Sequence, residues 1–184
     1  MNVWYSLSDI PGNEASVVTI GNFDGMHNGH KKVISTCIER AHKLGVDAVA
    51  ITFDPHPIQV HKPEVGLQLI SPLCDRLDAM GAAGLDGTLV AHYDASVYSL
   101  EADEFVYEYL VERCGAREVV VGEDFRFGRG NAGTIDTLRE LGRRYGFNVI
   151  TVTDIEAPEG RRWSSSWVRE LLAAGDVSGA AASR

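Results

Sequence analysis

The chain has 184 residues, 45% of them hydrophobic and 23% charged. That is enough to bury roughly 70% of the unfolded surface in one core, so disorder and collagen-like repeats are excluded and a single domain over 1–184 is expected. Seventeen Lys and Arg against twenty-six Asp and Glu leave a net charge of −9, the wrong sign for coating nucleic acid or an anionic membrane.

No apolar run approaches the ~20 residues of a membrane-spanning helix. Cys37, Cys74 and Cys114 are odd in number and far apart, which supports neither a disulfide framework nor a cysteine-based zinc site. The first residues read as neither basic nor apolar leader. A reducing, cytoplasmic setting is expected.

In chain order, Val17–Ile20 is a β-branched run ending at Gly21, and Val33, Ile34, Cys37, Ile38, Ala41 and Leu44 then recur at helical spacing up to Gly45. Ala48–Phe53 reads as a second buried strand, closing a β-α-β unit with a right-handed crossover. A helix near Cys74 to Met80, a strand at Thr88–Ala91 and a helix with Phe105, Val106, Tyr109 and Leu110 on one face follow. Glu118–Val121 is the fourth strand. Ile135, Leu138, Leu141 and Tyr145 mark a helix, Val149–Val152 the fifth strand, and Val168, Leu171 and Leu172 a last helix capped by one of Ser164 to Ser166. Five strands alternating with helices predict a doubly wound, mainly parallel α/β sheet, whose ligands bind beyond the carboxyl ends of the strands.

The first post-strand loop is Gly21-Asn22-Phe23-Asp24-Gly25-Met26-His27-Asn28-Gly29-His30. Its glycines let backbone approach a ligand, and the helix start that follows is a seat for phosphate. With the first helical turn near Met26 to Asn28, His27 and His30 share a face beside that seat. A zinc site there lacks a convincing third ligand, and no G-x-x-x-x-G-K-[ST] exists. Gly128-Arg129-Gly130-Asn131-Ala132-Gly133 matches G-x-G-x-x-G, with Asp154 some way beyond. The predicted strand stops near Gly122, however, too early for a dinucleotide fingerprint.

The loop from Gly21 to His30 resembles the H-x-G-H signature of the nucleotidyltransferase superfamily. With its flanking G-x-F-D-G it is similar to the FMN adenylyltransferase module of bacterial bifunctional riboflavin kinase/FAD synthetases. Thr52-Phe53-Asp54-Pro55-His56-Pro57, Val119 to Gly128 and Arg162 to Arg169 resemble three further segments of that family, in order along nearly the whole chain. The resemblance implies a Rossmann-like fold that transfers AMP from ATP to the phosphate of FMN, giving FAD and pyrophosphate.

His27 and His30 would then donate near the α- and β-phosphates. Arg162, Ser165, Ser166 and Arg169 would hold the β- and γ-phosphates with Mg²⁺ bridging their oxygens, the metal ligands being unassigned. Arg169 joins the two histidines as a catalytic candidate. Gly21, Phe23, Asp24 and Gly29 belong to the phosphate loop, which Asn22 and Asp24 help to shape. Phe53, Pro55 and Pro57 would line the flavin pocket in a loop stiffened by proline. Asp124, Phe125 and Phe127 would offer faces and edges to a flat ring, Phe125 or Phe127 serving equally well as core. Ten of the thirteen arginines fall between Arg113 and Arg169. Several of these, Arg139, Arg143 and Arg144 among them, decorate an exposed helix face.

Trp163 and Trp167 depart from the family pattern, either crowding the nucleotide site or stacking on adenine, and Ser166 stands where Thr is usual. No kinase chemistry fits in the residues after Gly175. A stand-alone module fed with FMN by a separate riboflavin kinase and an excised domain are both consistent with the sequence. Two rival functions stand beside the main one: a related nucleotidyltransferase acting on another phosphate, and a flavin- or nucleotide-binding paralogue without turnover.

Overall fold

A computed structural model describes residues 1–12, 14–153 and 160–183; Asp154 lies outside them. Six strands form one parallel sheet: β1 (Asn2–Trp4), β2 (Ser16–Ile20), β3 (Asp47–Asp54), β4 (Gly87–His92), β5 (Ala116–Gly122) and β6 (Asn148–Val152). Their spatial order is β1-β4-β3-β2-β5-β6. The expected five strands are therefore corrected to six. The added strand is a three-residue edge, too short to show a period of its own, and it is held by its partner β4, where Gly87 leaves room for the Trp4 indole.

Alternate residues of the strands feed two cores. Val18, Ile20, Val49, Ile51 and Val121 face one side; Val17, Ala48, Ala50 and Val120 face the other. The second side is covered by α1 (Asn28–Leu44) through Ile34, Cys37 and Ala41, and by α3 (Leu73–Ala83) through Met80. The first is covered by α5 (Ala102–Phe105), which runs on as π-helical turns over Val106–Arg113, and by α6 (Ile135–Tyr145). Shorter helices are α2 (Pro57–His61) after β3 and α4 (Ala95–Tyr98) after β4. The chain closes with α7 (Ser165–Ala173) and α8 (Val177–Ala182).

Helices on both faces of a parallel sheet are the doubly wound arrangement expected from the alternating periods. From β2 the chain first winds outward through β3 and β4, then returns to build β5 and β6 on the other side. The direction of winding thus reverses between β2 and β5, where no connection crosses the carboxyl ends of the strands and a crevice is left open. The loops after β2 and β5 flank it. Among the described residues, no helix is long and apolar enough to cross a membrane.

Candidate active site

Two clefts open at that crevice and share Ile20, Gly21 and Phe125. The first, about 280 Å³, is lined by Phe23, His27, Gly29 and His30 from the loop after β2 and by Asp124 from the loop after β5, with Arg162, Trp163 and Ser165 opposite. The second, about 290 Å³, is aromatic: Phe53, Tyr93, Tyr98, Phe105 and Phe127 surround it, with Asn22, Pro57 and Arg126. The half-buried ring of Phe125 stands between them.

Helix α1 starts at Asn28 with His27 as its cap: His27 Nδ1 accepts from the His30 N–H at 3.4 Å. Accepting at Nδ1 leaves the proton of a neutral His27 on Nε2. Burial, reinforced by the Arg162 charge, lowers the His27 pKa from 6.5 to about 4, and burial followed by the His27 charge holds His30 well below 6.5. Both rings are therefore neutral donors at pH 7. They stack 3.7 Å apart, and His30 Nδ1 is buried without a hydrogen-bond partner among the described residues. A side chain at position 29 would press its Cβ to 3.1 Å from the His27 ring, so glycine there preserves the cap. Phe23 and Met26 adopt left-handed backbone angles that such residues seldom take, and both are held there by burial in the core.

Four of the expected binding residues reach neither wall. Asp24 is fully buried and faces inward, accepting from the N–H groups of Ile70 and Ser71 at 3.0 Å and from Arg169 Nη2 at 2.5 Å. Arg169 also donates to the Gln68 carbonyl, so it braces the loop after β2 through Asp24. The Ser165 hydroxyl donates to the Asp24 carbonyl while reaching the first cleft. Its neighbour Ser166 is exposed away from both clefts, and Ser164 is the residue that caps α7, accepting from the Trp167 N–H. Pro55 follows Asp54 through a cis peptide and lines neither cleft, and Pro57 is the first residue of α2. His56 caps that helix, and burial lowers its pKa below 6.5.

Phe127 is buried against Phe105 and lines the second cleft, whereas Phe125 stacks on Phe127 at 5.4 Å and lines both clefts. Trp163 forms a wall of the first cleft and stacks on Trp167 at 4.4 Å, with Arg161 over the outer ring. Arg162 pairs with Asp124 at 2.6 Å across the first cleft. The glycines from Gly128 to Gly133 make a turn that folds back on itself, Phe127 bridging to Gly133, with one 3-10 turn over Arg129–Asn131, and this turn starts several residues beyond the end of β5 at Gly122.

Sequence reading missed Tyr93 and Arg76. Tyr93 follows β4 directly, a position that the rule of post-strand loops already singles out. Arg76 sits one helical turn before Met80 on the buried face of α3, where a charge is out of pattern. Among the described residues, no group of three or more His, Cys, Asp or Glu side chains could hold a metal.

A parallel α/β fold with a histidine-bearing helix start at its switch point defines a nucleotidyltransferase-like protein. The sequence pattern of the FAD synthetase family matches residues 9–167, and the chain belongs to that family. A Geobacillus thermodenitrificans relative named for riboflavin kinase and FMN adenylyltransferase is 38% identical over 167 residues, covering 91% of this chain and 86% of its own. The bifunctional riboflavin kinase/FMN adenylyltransferases of Pseudomonas fluorescens and Escherichia coli K12 are 37% and 33% identical, covering 90% and 92% of this chain. The chain spans about half of each, 53%. A crystal structure described as a macrolide-efflux protein from Streptococcus pneumoniae superposes with a TM-score of 0.83 at 27% identity, covering 97% of this chain and 59% of the other. Pantothenate synthetase from Thermus thermophilus, at 15% identity and a TM-score of 0.57 over 98% of this chain and 79% of its own, shares the fold.

Proposed function

We propose that the protein transfers the adenylyl group of ATP to the phosphate of FMN, forming FAD and pyrophosphate. The observation that carries this reading is the pair of clefts meeting at Gly21 and Phe125, one lined by two histidines and Arg162, the other by aromatic rings. The aromatic cleft suits a flat flavin ring, which Phe53, Tyr93 and Phe125 can contact by face or edge. The histidine cleft suits a triphosphate: His27 and His30 as neutral donors, and Arg162 as a cationic fork once a phosphate oxygen replaces the Asp124 carboxylate.

The FMN phosphate is itself the nucleophile, so no protein nucleophile or strong base is required. A phosphate oxygen attacks the α-phosphorus of ATP in line, the bond to the bridging oxygen breaks, and pyrophosphate leaves with the electron pair. The protein's share is alignment across the junction of the clefts and stabilisation of charge on the leaving group. Mg²⁺ would enter with ATP, neutralising phosphate charge. Asp124 is the carboxylate lining the first cleft, and a magnesium–triphosphate complex needs one or two such ligands. In the bifunctional relatives the other named activity is riboflavin kinase, and a kinase acting on riboflavin would supply the FMN used here.

The test is chromatographic detection of FAD after incubation with FMN, ATP and Mg²⁺, beside riboflavin with ATP and FMN with CTP. FAD from FMN and ATP alone is expected. Product from CTP, or tight flavin binding with no FAD, would replace this reading by a related transferase or a binding protein respectively.

A further inference from the structure

Arg76 is the largest side chain that is completely buried among the described residues. A guanidinium in such a place is costly unless fully paired, and an apolar residue of similar volume would serve packing as well or better. The pairing here is incomplete. Nη1 donates to the Asn22 carbonyl at 2.8 Å and lies 3.4 Å from both Thr52 Oγ1 and the Phe53 carbonyl. Nη2 faces Asp54 Oδ1 at 3.6 Å, and neither Nη2 nor Nε has a hydrogen-bond acceptor among the described residues.

The atoms it joins share one property: they lie at the carboxyl ends of β2 and β3, where the two loops that line the aromatic cleft begin. Asn22 lies just beyond β2, and Phe53 and Asp54 close β3. The last contacts between those strands are Gly21 N–H to the Ile51 carbonyl and Thr52 Oγ1 to the Asn22 carbonyl. Beyond that point the loops separate, one toward His27 and the other toward Pro57, and Arg76 spans the fork from below. Asn22, Phe53 and Pro57 line the aromatic cleft and not the histidine cleft.

We propose that Arg76 is a positioning residue that locks the start of the loop after β2 to the carboxyl end of β3, from which the second loop departs, and so sets the affinity of the aromatic cleft for its ligand without touching it. The identity of that ligand as FMN rests on the function proposed above; the locking does not. Lysine keeps the charge, but a single ammonium on a non-planar stem cannot reproduce the Nη1 contacts with Asn22 and Phe53 together with the Nη2 approach to Asp54.

The experiment compares wild type with Arg76→Lys, Arg76→Met and Asp54→Asn. Steady-state kinetics are taken with FMN and ATP varied separately, and amide hydrogen exchange of residues 21–24 and 52–56 is followed in the unliganded protein. For Arg76→Lys, KM for FMN should rise about tenfold or more with KM for ATP within about threefold, and exchange at both loops should quicken while α1 and α6 stay protected. Asp54→Asn, which alters an exposed partner, should show a weaker form of the same pattern. If Arg76→Met does not fold, the lysine variant decides. Wild-type KM for FMN and unchanged loop exchange would overturn the proposal. So would equal rises in both KM values with exchange faster throughout, which marks a purely structural role. If the wild type makes no FAD, the flavin reading fails, and the exchange data alone still decide whether Arg76 joins the loops.

Discussion

His27 has two duties that a pair of substitutions separates. Its Nδ1 caps α1 by accepting from the His30 N–H, and its ring, 6% exposed, packs against His30. Its Nε2–H remains to donate into the cleft. Asparagine is among the best capping residues and keeps an acceptor at the same place, but it is too short to donate where the imidazole does. Alanine removes both. For His27→Ala, loss of a cap at about 1 kcal/mol and loss of ring packing at about 1–2 kcal/mol add to about 2–3 kcal/mol, or roughly 4–12 °C in melting temperature for a chain of this size.

His27→Asn should lose about 1 kcal/mol, roughly 2–4 °C. Turnover should fall in both variants alike, by about 10²–10³, the usual effect of removing one donor from a developing oxyanion. Thermal unfolding and steady-state FAD formation measured on the same preparations test this. An Asn variant with near-wild-type turnover would refute the donor role, and an Ala variant as stable as wild type would refute the capping role.

Replacing Asp24 by asparagine leaves Arg169 facing a neutral, buried partner; a loss of about 3–5 kcal/mol is expected in denaturant unfolding, and a loss under 1 kcal/mol would show that the buried pair matters little. Phe125→Ala removes the ring shared by both clefts, so KM should rise for FMN and ATP together, each by about tenfold; a change confined to one substrate contradicts the shared wall. Stability should also depend on pH with a definite sign. His27 titrates at about 4 in the folded protein and near 6.5 unfolded, and His30 and His56 are lowered too. The unfolded chain therefore binds more protons between those values, and stability that is complete above pH 6.5 is lost as the pH falls toward 4. For His27 alone the shift corresponds to about 3 kcal/mol at about 1.36 kcal/mol per unit. Urea unfolding between pH 7 and 4.5 measures it, and a flat profile would contradict the buried, neutral histidines.

Much of the fold and the outline of the site were legible in the sequence, because their causes are local. Alternation of β-branched runs with helical spacing marks strands and helices wherever a neighbour covers their apolar faces, and five strands and their order along the chain follow from it. The glycine-rich turn into α1 and the two histidines three residues apart lie within one short segment, so their proximity is a matter of helical geometry. Strand β1 escaped because three residues carry no period.

What the tertiary structure alone decided is which polar groups face the ligand and which face the protein. Asp24 and Arg169 stand 145 positions apart, Arg76 and Asn22 stand 54 apart, and nothing in either neighbourhood announces the partner. A buried charge is tolerated only where another element brings its counter-ion or acceptor. The direction in which Asp24 and Arg169 turn, the different burial of Phe125 and Phe127, and the place of Arg76 at the fork were therefore settled by long-range packing. Local sequence determined the loops; the meeting of α3, α7 and the strand ends determined which of their side chains remain available for chemistry.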